Sequence, residues 1–134
     1  MKQLLKHVMS FEDVNWWMLA GGMALNVGIA AIATILGAYW SLSETTAEFY
    51  ALYGPPLMLL GVFVATLLTG ALVSRMAYQV PIRHAFLSSL GAAGAFVFGA
   101  VIALNYMLLL LAVVAVLGNV NGAMLALPKP HRRL

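Results

Sequence analysis

The sequence predicts an all-α integral membrane protein of four transmembrane helices, both termini cytoplasmic, the third and fourth helices joined as a tight antiparallel hairpin. Three observations carry that prediction. The 134 residues are 63% apolar and only 8% charged, whereas a soluble domain carries about 25% charged residues. The apolar residues gather into runs long enough to cross a hydrocarbon core of about 30 Å, which takes roughly 20 helical residues. All seven Lys and Arg residues fall on one side once four spans are drawn, as the positive-inside rule requires.

The first span is placed at 16–40. Trp16 and Trp17 mark one end, Tyr39 and Trp40 the other, matching the aromatic belts of the two interfaces. Ser10 and Asp13 have capping-box spacing, so the helix is expected to begin as early as Ser10. About 24 apolar-dominated residues make this run longer than the roughly 7–15-residue core of a signal peptide, so it is read as a retained span.

The connection SLSETTAEF is polar and acidic, and Gly54-Pro55-Pro56 follows it. Proline fits the first turn of a helix, where its missing N–H would have had no partner. The second span is therefore placed at 55–78, with Arg75 near its end and able to snorkel toward headgroups. Gln79, Val80 and Pro81 form a short break.

From Ile82 to Leu127 there are 46 residues with Arg83 and His84 as their only charged or titratable side chains. A single helix of that length would extend about 69 Å, so the run must fold back. Asn105 and Tyr106 are the only polar pair between Ser89 and Asn119. Spans at 82–104 and 106–127 follow, although no glycine or proline marks the turn; a kinked or re-entrant helix is the alternative. Residues 1–14 read as an interfacial amphipathic segment, 15–127 as the four-helix membrane domain and 128–134 as a basic cytoplasmic tail.

With this topology Lys2, Lys6, Arg75, Arg83, His84, Lys129, Arg132 and Arg133 form a basic cytoplasmic rim, suited to anionic headgroups. The opposite side has only Glu44 and Glu48. The expected location is a cell membrane. The pI near 9.5 then reports topology rather than nucleic-acid binding.

Catalysis, metals and cofactors are not expected. There is no cysteine. His7, His84 and His131 lie outside the spans, which leaves none to hold a haem within the bundle. No Asp, Glu or Lys lies inside a span, which disfavours proton relays and ion pathways. No nucleophile elbow, zinc-protease or P-loop pattern occurs.

Two patterns remain. Gly91, Ala95, Gly99 and Ala103 recur every four residues in the third span, as do Gly118, Gly122 and Ala126 in the fourth. Such stripes let backbones approach closely where lipid removes the hydrophobic drive between helices. The turn at 104–105 puts Gly91 level with Gly118, so the stripes are expected to face each other. The second pattern is polar. Counted from the cytoplasmic end at about 1.5 Å per residue, Asn26, Thr66, Thr69, Ser88, Ser89, Asn119 and Asn121 all fall within about 9–15 Å. Each span thus contributes to one polar layer. The layer reads first as interhelical glue, and otherwise as a small pocket open to the cytoplasm. Asn119 and Asn121 stand about 200° apart around a helix, so they point different ways.

The expected function is a non-catalytic membrane subunit or assembly factor, contacting bilayer lipid and other subunits or its own copies. The alternative is a small transporter or a component of a lipid-linked substrate flippase, using the polar layer as its pocket.

Overall fold

The computed structural model describes residues 13–77 and 79–127. Four α-helices make up most of them: α1 (Trp16–Leu42), α2 (Ala47–Met76), α3 (Pro81–Ala103) and α4 (Tyr106–Ala126). All four are long and apolar enough to cross a membrane, which makes this a multi-pass membrane protein. At about 1.5 Å per residue, α1 and α2 run roughly 40 and 45 Å, and α3 and α4 roughly 35 and 32 Å.

The start of α1 differs from the expectation. Asp13 is left-handed, with φ 61°, so no helix runs through it. Asn15 is the N-cap instead, its side chain accepting from the Trp17 and Met18 amides. Ser10 and the rest of the interfacial segment up to Glu12 lie outside the described residues, as does the tail from Pro128.

The start of α2 also differs. The helix begins at Ala47, two turns before the expected Pro55, and carries Pro55 and Pro56 in its interior. Each proline removes an amide donor and normally costs a helix about 3 kcal/mol. Tertiary contact and Gly54 explain the outcome. A proline crowds the Cβ of the residue before it, and Gly54 has none. That absence also lets the Tyr50 ring lie where a Gly54 Cβ would stand. From there the Tyr50 hydroxyl closes on Gly37 of α1, and its ring sits 6.5 Å from Trp40. The Thr46 hydroxyl ties the connection by donating to the Trp40 carbonyl at 3.0 Å.

The link between α3 and α4 is two residues long. Leu104 takes the left-handed conformation, φ 49°, and its amide bonds the Ala100 carbonyl. Asn105 caps α4 by accepting from Met107 N at 3.0 Å. A leucine does here what a glycine usually does, which is why the turn has no glycine to betray it.

Around the bundle the order is α1, α2, α4, α3. The most extensive contact is α2 with α4, while α1 and α4 lie on the long diagonal. The apolar core joins Ala30, Met58, Val62, Phe96, Leu111 and Ala115, among others, from all four helices. Gly91 lies on Met23, and Gly22 beside Ser88. This register ends α3 about six residues, or 9 Å, short of the end of α1. The α1–α2 pair therefore projects beyond α3 and α4 on the side of its connection.

The glycine stripes do not face each other as expected. An added Cβ at Gly91 would meet the Met23 backbone of α1, at 2.7 Å from its carbonyl oxygen. At Gly118 it would meet Thr66 and the Phe63 carbonyl of α2, and at Gly122 the Leu67 carbonyl and Ala71 amide of α2. Gly99 alone points across the α3–α4 seam, with Leu108 3.3 Å away. Ala95 and Ala126 are half-buried and Ala103 is exposed. The buried row of α3 runs instead through Ser89, Ala92, Phe96 and Ala100. That row lies one residue further along, about 100° around the helix.

Candidate functional site

Asn119 reaches the bundle centre because its own helix approaches α2 closely. Gly118 and Gly122 lie against the α2 backbone, and Gly70 of α2 has no Cβ where the Asn119 backbone passes. Three missing side chains at one crossing let α4 sink onto α2. The Asn119 side chain then projects across the long diagonal toward Asn26 of α1.

The two amides form a closed pair. Asn119 Nδ2 donates to Asn26 Oδ1 at 2.7 Å, and Asn26 Nδ2 donates to Asn119 Oδ1 at 3.3 Å. The remaining N–H of each goes to its own helix. Asn26 bonds the Gly22 carbonyl at 2.9 Å and Asn119 the Ala115 carbonyl at 3.0 Å. Both residues are 0% exposed, so an unmade bond would cost the full desolvation of an amide. None is unmade: every buried side-chain nitrogen and oxygen among the described residues has a partner.

The rest of the polar layer turns back on its own helices. Thr66 donates to the Val62 carbonyl at 2.7 Å, Thr69 to Ala65 at 3.0 Å, Ser88 to Ala85 at 2.9 Å and Ser89 to Phe86 at 2.6 Å. Asn121 is exposed and bonds only Leu117, at 2.7 Å, on the side away from Asn119 as the helical spacing requires. The structure thus brings Asn26 and Asn119 together and leaves Asn121 apart. Sequence reasoning overlooked Ser74, which donates across helices to the Ala123 carbonyl at 3.3 Å, and the close approach at Gly70. Thr66, Gly70 and Ser74 have the same four-residue spacing as the stripes in α3 and α4, so that spacing in α2 was the available signal.

A second polar cluster ties the N-terminal ends of α1 and α3. His84 was expected in an exposed basic rim; it is 1% exposed, and Arg83 is 6% exposed. The reason is the tight α2–α3 connection, which turns the first turn of α3 inward. His84 Nε2 accepts the Asn15 amide at 2.9 Å, while Nδ1 faces the Val80 carbonyl at 3.2 Å. An accepting Nε2 and a donating Nδ1 describe the neutral ring. Val80 is left-handed, φ 41°, a strained state for a β-branched residue. Arg75 stays exposed; Lys2, Lys6, Lys129, Arg132 and Arg133 lie outside the described residues.

This contact yields a test. His84→Phe leaves the Asn15 amide without its acceptor, and the variant should unfold more easily by about 1–3 kcal/mol. Denaturant unfolding in detergent micelles measures it. An unchanged midpoint would mean that the Asn15–His84 bond does not hold α1 to α3.

Among the described residues, no group of three or more His, Cys, Asp or Glu could hold a metal ion. The layer joins helices through one pair of amides, while its Thr66, Thr69, Ser88 and Ser89 hydroxyls bond their own helices. No protein-family model, curated protein or solved structure matches this chain.

Proposed function

We propose that this chain is a non-catalytic integral membrane subunit or assembly factor of a larger membrane complex. Both termini lie on the cytoplasmic side of a cell membrane, and α3 and α4 pack as a tight antiparallel hairpin. The observation that carries the reading is the closed Asn26–Asn119 pair. A binding pocket presents convergent polar groups to a cavity; here every amide N–H is spent on a protein oxygen. The polar layer then serves to fix one arrangement of four apolar helices. The seven-to-zero split of Lys and Arg supports the orientation.

The experiment is recovery of the tagged chain in mild detergent, followed by identification and native mass measurement of what accompanies it. The expected result is a stoichiometric larger partner. The informative substitutions lie on the outer face of α1. Gly118 and Gly122 pack within the chain, so replacing them would destabilise the bundle itself. Gly21 and Gly28 have open space where a Cβ would stand, so Gly21→Leu with Gly28→Leu leaves the bundle intact. That double variant is expected to lower partner recovery about tenfold, equivalent to 1.4 kcal/mol. A lone monomer recovered from native membranes would overturn the reading. It would favour the transporter or flippase alternative, in which the amide pair parts in another conformation.

A further inference from the structure

We infer that the groove between α1 and α2 is a binding site for one phospholipid, an acyl chain lying in the groove and an ammonium-bearing headgroup beside Glu44 and Glu48. The groove holds about 450 Å³ and is lined by apolar residues alone, with Ala33, Met58 and Val62 as floor and Ile29 and Leu57 on its walls. In a bilayer such a space is filled by hydrocarbon, because no water or polar group is there to occupy it.

Length favours a chain over a helix. From Trp40 to Ile29 the groove runs about 16 Å at 1.5 Å per residue, half of a hydrocarbon core of about 30 Å. That is the depth of one leaflet. A partner helix crossing the membrane would need a seam twice as long. Among the described residues, only α1 and α2 line the groove.

Charge selects the headgroup. The groove opens at Trp40, where a second apolar hollow continues it to Thr46 and Phe49. The connection there carries Glu44 and the first turn of α2 carries Glu48, both exposed, and both described arginines lie at the other end of the bundle. An acidic mouth attracts an ammonium group and repels a net anionic headgroup. This site is independent of the proposed subunit role.

The test uses the full chain, stripped of lipid and returned to bilayers of equal phosphatidylethanolamine and phosphatidylglycerol. Retained lipid is read by native mass spectrometry after gentle extraction. Wild type is expected to retain one phosphatidylethanolamine. A Cβ at Gly61 meets nothing within 4 Å, so Gly61→Phe fills the groove without disturbing the core. It should lower retention about tenfold. Ile32→Trp closes the same groove from α1 and should do likewise. Gly94→Phe, at an exposed glycine of α3 with equally open space, should retain lipid as wild type does. Glu44→Gln with Glu48→Gln should keep the lipid and lose the preference between headgroups. Equal retention by wild type, Gly61→Phe and Ile32→Trp overturns the proposal. So does preference for phosphatidylglycerol in wild type, or a copurifying protein that Gly61→Phe displaces.

Discussion

Gly122→Ala is expected to destabilise the bundle by about 3 kcal/mol, at the upper end of what overpacking costs. The added Cβ would stand on the Leu67 carbonyl and the Ala71 amide. Backbone cannot rotate away as a flexible side chain can, so α4 must lift from α2 along that crossing. Lifting it would also withdraw Asn119 from Asn26. Gly70→Ala meets the Asn119 backbone from the other side and should have a similar effect. Gly61→Ala and Gly94→Ala, where an added Cβ meets nothing, supply the contrast. They should be neutral or stabilising by up to about 1 kcal/mol, the difference between glycine and alanine in a helix interior. Reversible unfolding in mixed micelles resolves the two classes. If all four alanines behave alike, close backbone approach is not what holds α2 to α4.

The second large effect concerns the amide pair. Asn26→Leu and Asn119→Leu each strand the other amide in a site that water does not reach, and each should cost about 1–3 kcal/mol. The double variant leaves no amide unpaired, so it should cost less than the two singles together. The coupling expected for an interhelical bond of this kind is about 0.6 kcal/mol on average and about 1.7 at most in a membrane protein. A double-mutant cycle reads it directly. Strict additivity would mean that the two amides do not depend on each other.

Several features were legible because they follow from local chemistry. Four spans follow from run length and charge alone. The opposed directions of Asn119 and Asn121 follow from 100° per residue, and one is buried while the other is exposed. The polar layer was visible as a common depth, but depth does not say which amide meets which. Asn26 and Asn119 pair because they face each other across the long diagonal, a fact of helix arrangement. The Pro55–Pro56 boundary failed because the Tyr50 contacts with Gly37 and Trp40 outweigh a local rule. The basic rim failed at His84 because the ring is an acceptor for the Asn15 amide, which sequence spacing of 69 residues conceals.

The sequence by itself determined that the chain has four helices long and apolar enough to cross a membrane and where they end to within a few turns. Hydrocarbon thickness and the cost of exposed amides in lipid leave little freedom there. Only the tertiary structure decided which face of each helix points inward. Lipid tails are as apolar as leucine, so burial adds no hydrophobic signal to separate the core face from the lipid face. The choice falls to close packing, at Gly70, Gly91, Gly118 and Gly122, and to the one amide pair that this packing brings together.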